Sequence, residues 1–149
     1  MSNENNHAPF KVAAVQAAPV FLDREATIDK ACELIAIAGR EGTRLIVFPE
    51  AFIPTYPEWV WGIPSGEQGL LNELYSELLT NAVTIPSDAT NKLCEAAKLA
   101  NAYVVMGMSE RNVEASGASL YNTMLYIDAQ GEILGKHRKL VPTGGERLI

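Results

Sequence analysis

Histidine and cysteine are scarce in this chain of 149 residues, two of each, and the scarcity removes whole classes of chemistry. Cys32 and Cys94 are too few for a disulfide scaffold of this size and lack metal-ligand spacing. His7 sits in the polar opening stretch and is expected to be inert. His137 then stands alone, so neither a histidine-built metal centre nor a Ser-His-Asp arrangement finds its second member. Basic residues are in deficit, twelve against eighteen acidic for a formal charge of -6, which leaves no counterion-releasing surface for a nucleic-acid backbone. The wholly apolar runs are short, far from the roughly 18 residues of a membrane span. The opening MSNENNHAP has neither a basic n-region nor an apolar h-region, so no secretory signal is read and a reducing, cytoplasmic setting is expected. GxGxxG and Walker patterns are missing, and the glycines of PTGGER supply neither. No internal repeat or low-complexity tract interrupts the chain.

What is present is enough for one domain. The composition is 48% hydrophobic and 20% charged, which excludes a disordered chain. After a frayed tail over residues 1–9, Phe10–Ala17 reads as a buried strand stopped by Pro19. Between Asp23 and Arg40, Ile28, Ala31, Leu34, Ile35 and Ala38 recur at helical spacing, with Asp23 as N-cap and Gly39 or Gly42 at the stop. Leu45–Phe48 is a short continuous apolar strand. Strand, helix and strand make a βαβ-like unit that places Pro49 and Glu50 at the carboxyl end of the second strand. Pro49–Pro64 holds four prolines and four aromatics and cannot be one continuous helix; a loop of that length is usually functional. Helices are expected over Gly66–Leu79 and Ser87–Ala100, and strands over Tyr103–Met108, Leu120–Ile127 and Glu132–Leu140. The fold class is α/β, with an antiparallel meander joined to the βαβ unit.

Two residues could carry chemistry. Glu50 follows a buried strand at the position where α/β sheets place ligands. Phe48, Phe52, Trp59 and Trp61 could wrap it in apolar surface, and desolvation would suit it to act as a general base. On position alone, a solvated loop carboxylate is the commoner case. Lys139 ends the segment ILGKHRKL, whose alternation puts it on one strand face with His137 and Gly135, and puts Lys136 and Arg138 on the other. A basic edge strand that resists aggregation is again the commoner case; a catalytic role needs a nearby carboxylate, which Glu50 or Glu146 could supply. Cys32 and Cys94 lie in helical patterns among Ala and Leu and read as packing residues.

The motifs are more specific together than singly. LIVFPEAFIPTYPEWVWG, followed some seventy residues later by GKHRKLVPTGGERL, resembles the amino-terminal half of a nitrilase, of the carbon–nitrogen hydrolase superfamily. The likeness runs from about Phe10 to the end and includes KVAAVQAAPV and SLYNTMLYIDAQGEILGKHRK. Phe-Pro-Glu with Arg-Lys is the general superfamily signal. Tyr56-Pro57-x-Trp59-Val60-Trp61 and Pro142-Thr143-x-x-Glu146-Arg147 are what make the chain resemble a nitrilase within it.

That resemblance implies an α-β-β-α four-layer sandwich, of which this chain would form part, and a Glu-Lys-Cys triad that needs no metal or organic cofactor. Glu50 matches the general base, Lys139 the catalytic lysine and Glu146 a supporting glutamate, with Tyr56 and Trp59 as walls of a substrate pocket. The nucleophilic cysteine of the family follows the lysine by a few dozen residues, a position past Ile149, and neither Cys32 nor Cys94 matches it. The expectation is therefore a domain over 10–149, truncated on its C-terminal side and inactive by itself, from an enzyme that converts a small nitrile to a carboxylic acid and ammonia. An amide or carbamoyl hydrolase of the same superfamily, or a non-catalytic fragment that only self-associates, are the alternatives. Homo-oligomers are a further expectation from the family, with no nucleic-acid or membrane partner.

Overall fold

The computed structural model describes residues 8–114 and 116–147, so the expected tail, His7 included, lies outside the described residues except for Ala8 and Pro9. A five-stranded sheet is the frame. The strands β1 (Lys11–Ala14), β2 (Thr43–Val47) and β3 (Tyr103–Arg111) run parallel, and β4 (Leu120–Ile127) and β5 (Ile133–Arg138) continue antiparallel, in the order β1-β2-β3-β4-β5. The βαβ unit followed by a meander is thus the architecture that forms.

Helix α1 (Arg24–Arg40) starts where Asp23 accepts a hydrogen bond from the Ala26 N–H at 2.9 Å, an N-cap of the ordinary kind. Its stripe of Ile28, Ala31 and Ile35 is fully buried. Helix α3 (Asp88–Ala100) opens on a reciprocal capping box between Ser87 and Thr90 and buries Leu93 and Ala97. The two helices pack on each other and share one apolar cluster with Ile46, Val104, Met106, Met108, Leu125 and Ile127 of the sheet. Both therefore cover the same sheet face. Helix α2 (Gln68–Asn81) is tied in at its middle by the Tyr75 hydroxyl donating to the Ala118 carbonyl, and at its C-terminal end by the Arg24 guanidinium donating to the Thr80 and Ala82 carbonyls.

Strand ends differ from the sequence pattern for local reasons. Strand β1 forms only over Lys11–Ala14, after which a single bond from the Val15 N–H to the Val47 carbonyl holds the chain. Strand β3 runs beyond Met108 to Arg111 because β4 pairs it throughout, from Val104 opposite Ile127 to Arg111 opposite Leu120. The polar run Ser109-Glu110-Arg111 hides that extension in the sequence. Strand β5 ends at Arg138, yet the Lys139 N–H still donates to the Asn122 carbonyl at 2.8 Å. Registers place Val12, Leu45, Val47, Tyr103, Val105 and Met124 on the face away from α1 and α3. On that second face Val12, Val47, Tyr103 and Met124 remain 56, 37, 43 and 43% exposed.

Candidate active site

Chain geometry after β2 presents Glu50. The Phe48 N–H donates to the Val105 carbonyl. Beyond the break, the Ile53 N–H donates to the Gly107 carbonyl and the Ile53 carbonyl accepts from the Ser109 N–H. The backbone thus follows β3 before and after Pro49–Ala51, which bulges out over Gly107. A β-carbon at Gly107 would overlap the Pro49 carbonyl and come within 2.8 Å of the Ala51 nitrogen, so only glycine lets the bulge settle on the sheet. Ala51 sits within it at φ 44°, a left-handed conformation that L-residues avoid.

The bulge also decides what surrounds Glu50, and the apolar wrapping expected from its neighbours does not form. Phe48 and Phe52 turn to the helix-covered face, 5 and 1% exposed, with ring centroids 5.2 Å apart. Glu50 is sent to the opposite face with its side chain 55% exposed. Trp61 is exposed and lies against Gly144 and Gly145.

Lys139 meets Glu50 there. Because Asn122 is the strand partner of Lys139, both side chains stand on the second face. Lys139 Nζ donates to Glu50 Oε1 at 2.9 Å and to the two Glu146 oxygens at 3.2 and 3.0 Å. Glu146 belongs to a 3-10 turn over Gly145–Arg147. Its Oε2 also accepts from the Thr143 N–H at 2.6 Å and from the Thr143 hydroxyl at 2.8 Å, and the Tyr56 hydroxyl lies 3.0 Å from that hydroxyl. Asn122 Nδ2 donates to Glu50 Oε1 and Glu146 Oε1, at 2.6 Å each.

The charges are fixed by this network. Burial pushes the Glu146 carboxyl up, but hydrogen bonds from Asn122, Thr143 and Lys139 outweigh it and hold the group at about 2. The hydrogen bond to Glu50 raises the Lys139 ammonium above the ordinary lysine range; burial opposes it and Glu146 reinforces it. At neutral pH the Lys139 cation therefore stands against an ionised Glu146, with the Glu50 side chain on its other side.

The structure brings Glu50, Lys139 and Glu146 together and keeps Lys136 apart, as the strand alternation requires. Lys136 and Arg138 face the other way, onto Glu110, which is 2% exposed and also accepts from the Thr123 hydroxyl. A cavity of 420 Å³ adjoins Asn122, Lys139 and Glu146, with Tyr56, Tyr75 and Leu78 among its walls. Trp59 is not one of its walls; its indole nitrogen is enclosed without a hydrogen-bond partner. Two members of the network escaped the sequence reading. Asn122 was signalled only by an amide on the strand face it shares with Met124 and Tyr126, and Thr143 by its place in Pro142-Thr143-x-x-Glu146-Arg147, which assigned it no role.

Cys32 and Cys94 sit on α1 and α3, on the other side of the sheet from Asn122 and Lys139. Burial raises both thiols, Cys32 further raised by Asp29 and Cys94 by Glu132, so neither is a ready thiolate. Among the described residues, no group of His, Cys, Asp and Glu could hold a metal ion. No helix among them is long and apolar enough to cross a membrane.

Comparison with known proteins agrees with the fold. The carbon-nitrogen hydrolase family matches residues 11–148. A nitrilase of Bacillus sp. (strain OxB-1) is 43% identical over 145 residues, 97% of this chain and 40% of that protein. An aliphatic nitrilase of Rhodococcus rhodochrous is 44% identical over 141 residues, 94% of this chain and 37% of that one. Among solved structures, a Saccharomyces cerevisiae member of branch 10 of the nitrilase superfamily superposes with a TM-score of 0.66 at 24% identity, covering 89% of this chain and 44% of its own. An amidase from Nesterenkonia sp. does so at 0.61 and 21%, covering 92% and 45%. The chain spans about two fifths of the length of the curated relatives it matches. Matched by the family from its first strand to its last turn, the chain belongs to the carbon-nitrogen hydrolases.

Proposed function

We propose that the Glu50–Lys139–Glu146 cluster is the acid–base and charge-stabilising part of a nitrile-hydrolysing site. A cysteine thiolate that neither Cys32 nor Cys94 supplies completes it. The observation that carries the reading is the Lys139 ammonium held between two carboxylates beside a cavity. The nitrilase relatives at 43 and 44% identity support the choice of substrate class.

In this mechanism the thiolate adds to the nitrile carbon and the nitrile nitrogen takes up a proton, giving a covalent thioimidate. Glu50, exposed and anchored through one oxygen, takes a proton from the water that adds next and delivers it to the thioimidate nitrogen, which later leaves as ammonia with the hydroxyl proton. Lys139 stabilises the charge developing in the tetrahedral species. The C–N bond breaks, ammonia leaves, and a second water cleaves the thioester to the carboxylic acid and free thiol. Glu146 keeps Lys139 charged and in place. The 149-residue chain alone, offering a carboxylate and an ammonium without the thiolate, is inactive.

The test pairs a nitrile with its matching amide and follows ammonia and acid. A full-length protein should consume the nitrile and yield the acid, while the 149-residue chain should release no ammonia above buffer. A full-length protein that hydrolyses only the amide would replace the reading with an amide hydrolase. Ammonia from the short chain that Glu50→Gln abolishes would overturn the claim of an external nucleophile.

A further inference from the structure

Two carboxylates that share one ammonium carry a net charge of -1 and repel each other. Something must hold them together. Thr143 braces Glu146 alone, through its backbone N–H and hydroxyl. Only one group among the described residues touches both carboxylates besides Lys139, and that is the Asn122 side chain. Carboxylate oxygens accept and never donate when ionised, so the amide edge that faces them must be the NH2. Its two N–H bonds match the two acceptors, Glu50 Oε1 and Glu146 Oε1, at 2.6 Å each. The same two oxygens take the Lys139 ammonium at 2.9 and 3.2 Å. The backbone carbonyl of Asn122 also anchors the Lys139 N–H, which fixes the distance between amide and ammonium through the strand pair.

We infer that Asn122 is a positioning residue, a neutral clamp that gathers Glu50 and Glu146 around Lys139. Asparagine suits the place because it offers two donors without adding charge. Aspartate of the same shape would put a third carboxylate at one ammonium. The Asn122 bond is also the largest single hydrogen bond that lowers the Glu146 carboxyl. The strand face explains the economy of the arrangement: Asn122 on β4, Lys139 at the end of β5 and Glu50 on the bulge converge on one side of the sheet, and the turn bearing Glu146 closes over them.

This inference rests on the proposed function for its kinetic consequence only, so the experiment has an arm that needs no turnover. Competitive acetylation with mass-spectrometric readout ranks Lys139 against an exposed lysine, Lys98, in the full-length protein at one pH below the lysine range. Asn122→Ala lets the carboxylates drift away, the Lys139 ammonium loses part of the support that raises it, and it should acetylate at least about threefold faster. Asn122→Asp should leave Lys139 slower than or equal to wild type, because it adds negative charge at the ammonium. Loosened structure would speed labelling in both variants. Any pattern other than faster in Ala and not faster in Asp overturns the clamp. In the kinetic arm, Asn122→Ala should lower kcat/KM by about 10- to 100-fold, the span of a lost hydrogen bond to a charged group. It should also move the acid limb of the profile to higher pH. If labelling responds as stated while nitrile turnover is absent in wild type, the clamp stands and the nitrile reading falls.

Discussion

At the scale of single residues, the site divides into groups expected to handle protons and charge and one glycine that makes room for them. Glu50→Gln and Lys139→Ala should each lower nitrile turnover of a full-length protein by at least about 10²-fold, the usual scale for a positioned acid–base or charge-stabilising group. Lys136→Ala should leave turnover within a few-fold, since its side chain is committed to Glu110 on the opposite sheet face. A Lys136 defect as deep as that of Lys139 in steady-state assays would contradict the assignment. Gly107→Ala is the less obvious partner to these. The added methyl would strike the Pro49 carbonyl and lift the bulge, so activity should fall with Glu50 itself intact; an unchanged kcat in the Gly107→Ala variant would refute that role. Glu50 and Lys139 could be found in sequence because each closely follows a strand and belongs to a motif. The clamp residue Asn122 could not, because a strand asparagine carries no pattern until its opposite neighbours are known.

At the scale of elements, capped helices were the most legible. Asp23 and Ser87 announce α1 and α3, and the stripes behind them become buried faces. What the sequence hid depended on contacts between distant segments: the extra length of β3, supplied by pairing with β4, and the course of Phe48 and Phe52, set by a bulge against Gly107. The meander also holds a charged core that periodicity alone did not show. Glu110, 2% exposed, is met by Lys136, by Arg138 and by the Thr123 hydroxyl, and the Arg138 guanidinium lies 4.1 Å from the Tyr121 ring centroid. Burial pushes this carboxyl up, but the hydrogen bonds from Arg138, Lys136 and Thr123 bring it from 4.5 to about 2. A carboxyl depressed in the folded state binds fewer protons there than when unfolded, so stability rises with pH across the gap. The contribution is complete above about 4.5 and is lost as pH falls toward about 2. Urea midpoints of soluble protein should fall over that window, and Glu110→Gln should flatten the fall while costing on the order of 3 kcal/mol at neutral pH. An equally steep acid loss in Glu110→Gln would place the titration elsewhere, with Glu146 the next candidate.

At the scale of the whole molecule, the two sheet faces are unequal. Helices α1 and α3 bury one, while Val12, Val47, Tyr103 and Met124 stand 37–56% exposed on the other, the face that also carries the site. Leaving one aliphatic side chain in water forfeits roughly 1.5–3 kcal/mol, and several such losses approach the ~5–15 kcal/mol that stabilises a domain. The sheet also ends on two edge strands. Strand β5 carries Lys136 and Arg138, which discourage pairing, whereas β1 is guarded only by its brevity and Lys11. The 149-residue chain should therefore associate through its open face, with sedimentation that depends on concentration and with binding of a hydrophobic dye. The location can be tested as well as the fact. Val47→Lys with Met124→Lys puts charge at the centre of the open face and should shift the chain toward monomer. Leu99→Lys, on the helical side where Leu99 is 78% exposed, should not. If the parent chain runs as a monodisperse monomer with one sharp, reversible thermal transition, the open face is self-sufficient and does not drive association. If Leu99→Lys disperses the assembly and the sheet variant does not, association runs through the helices instead.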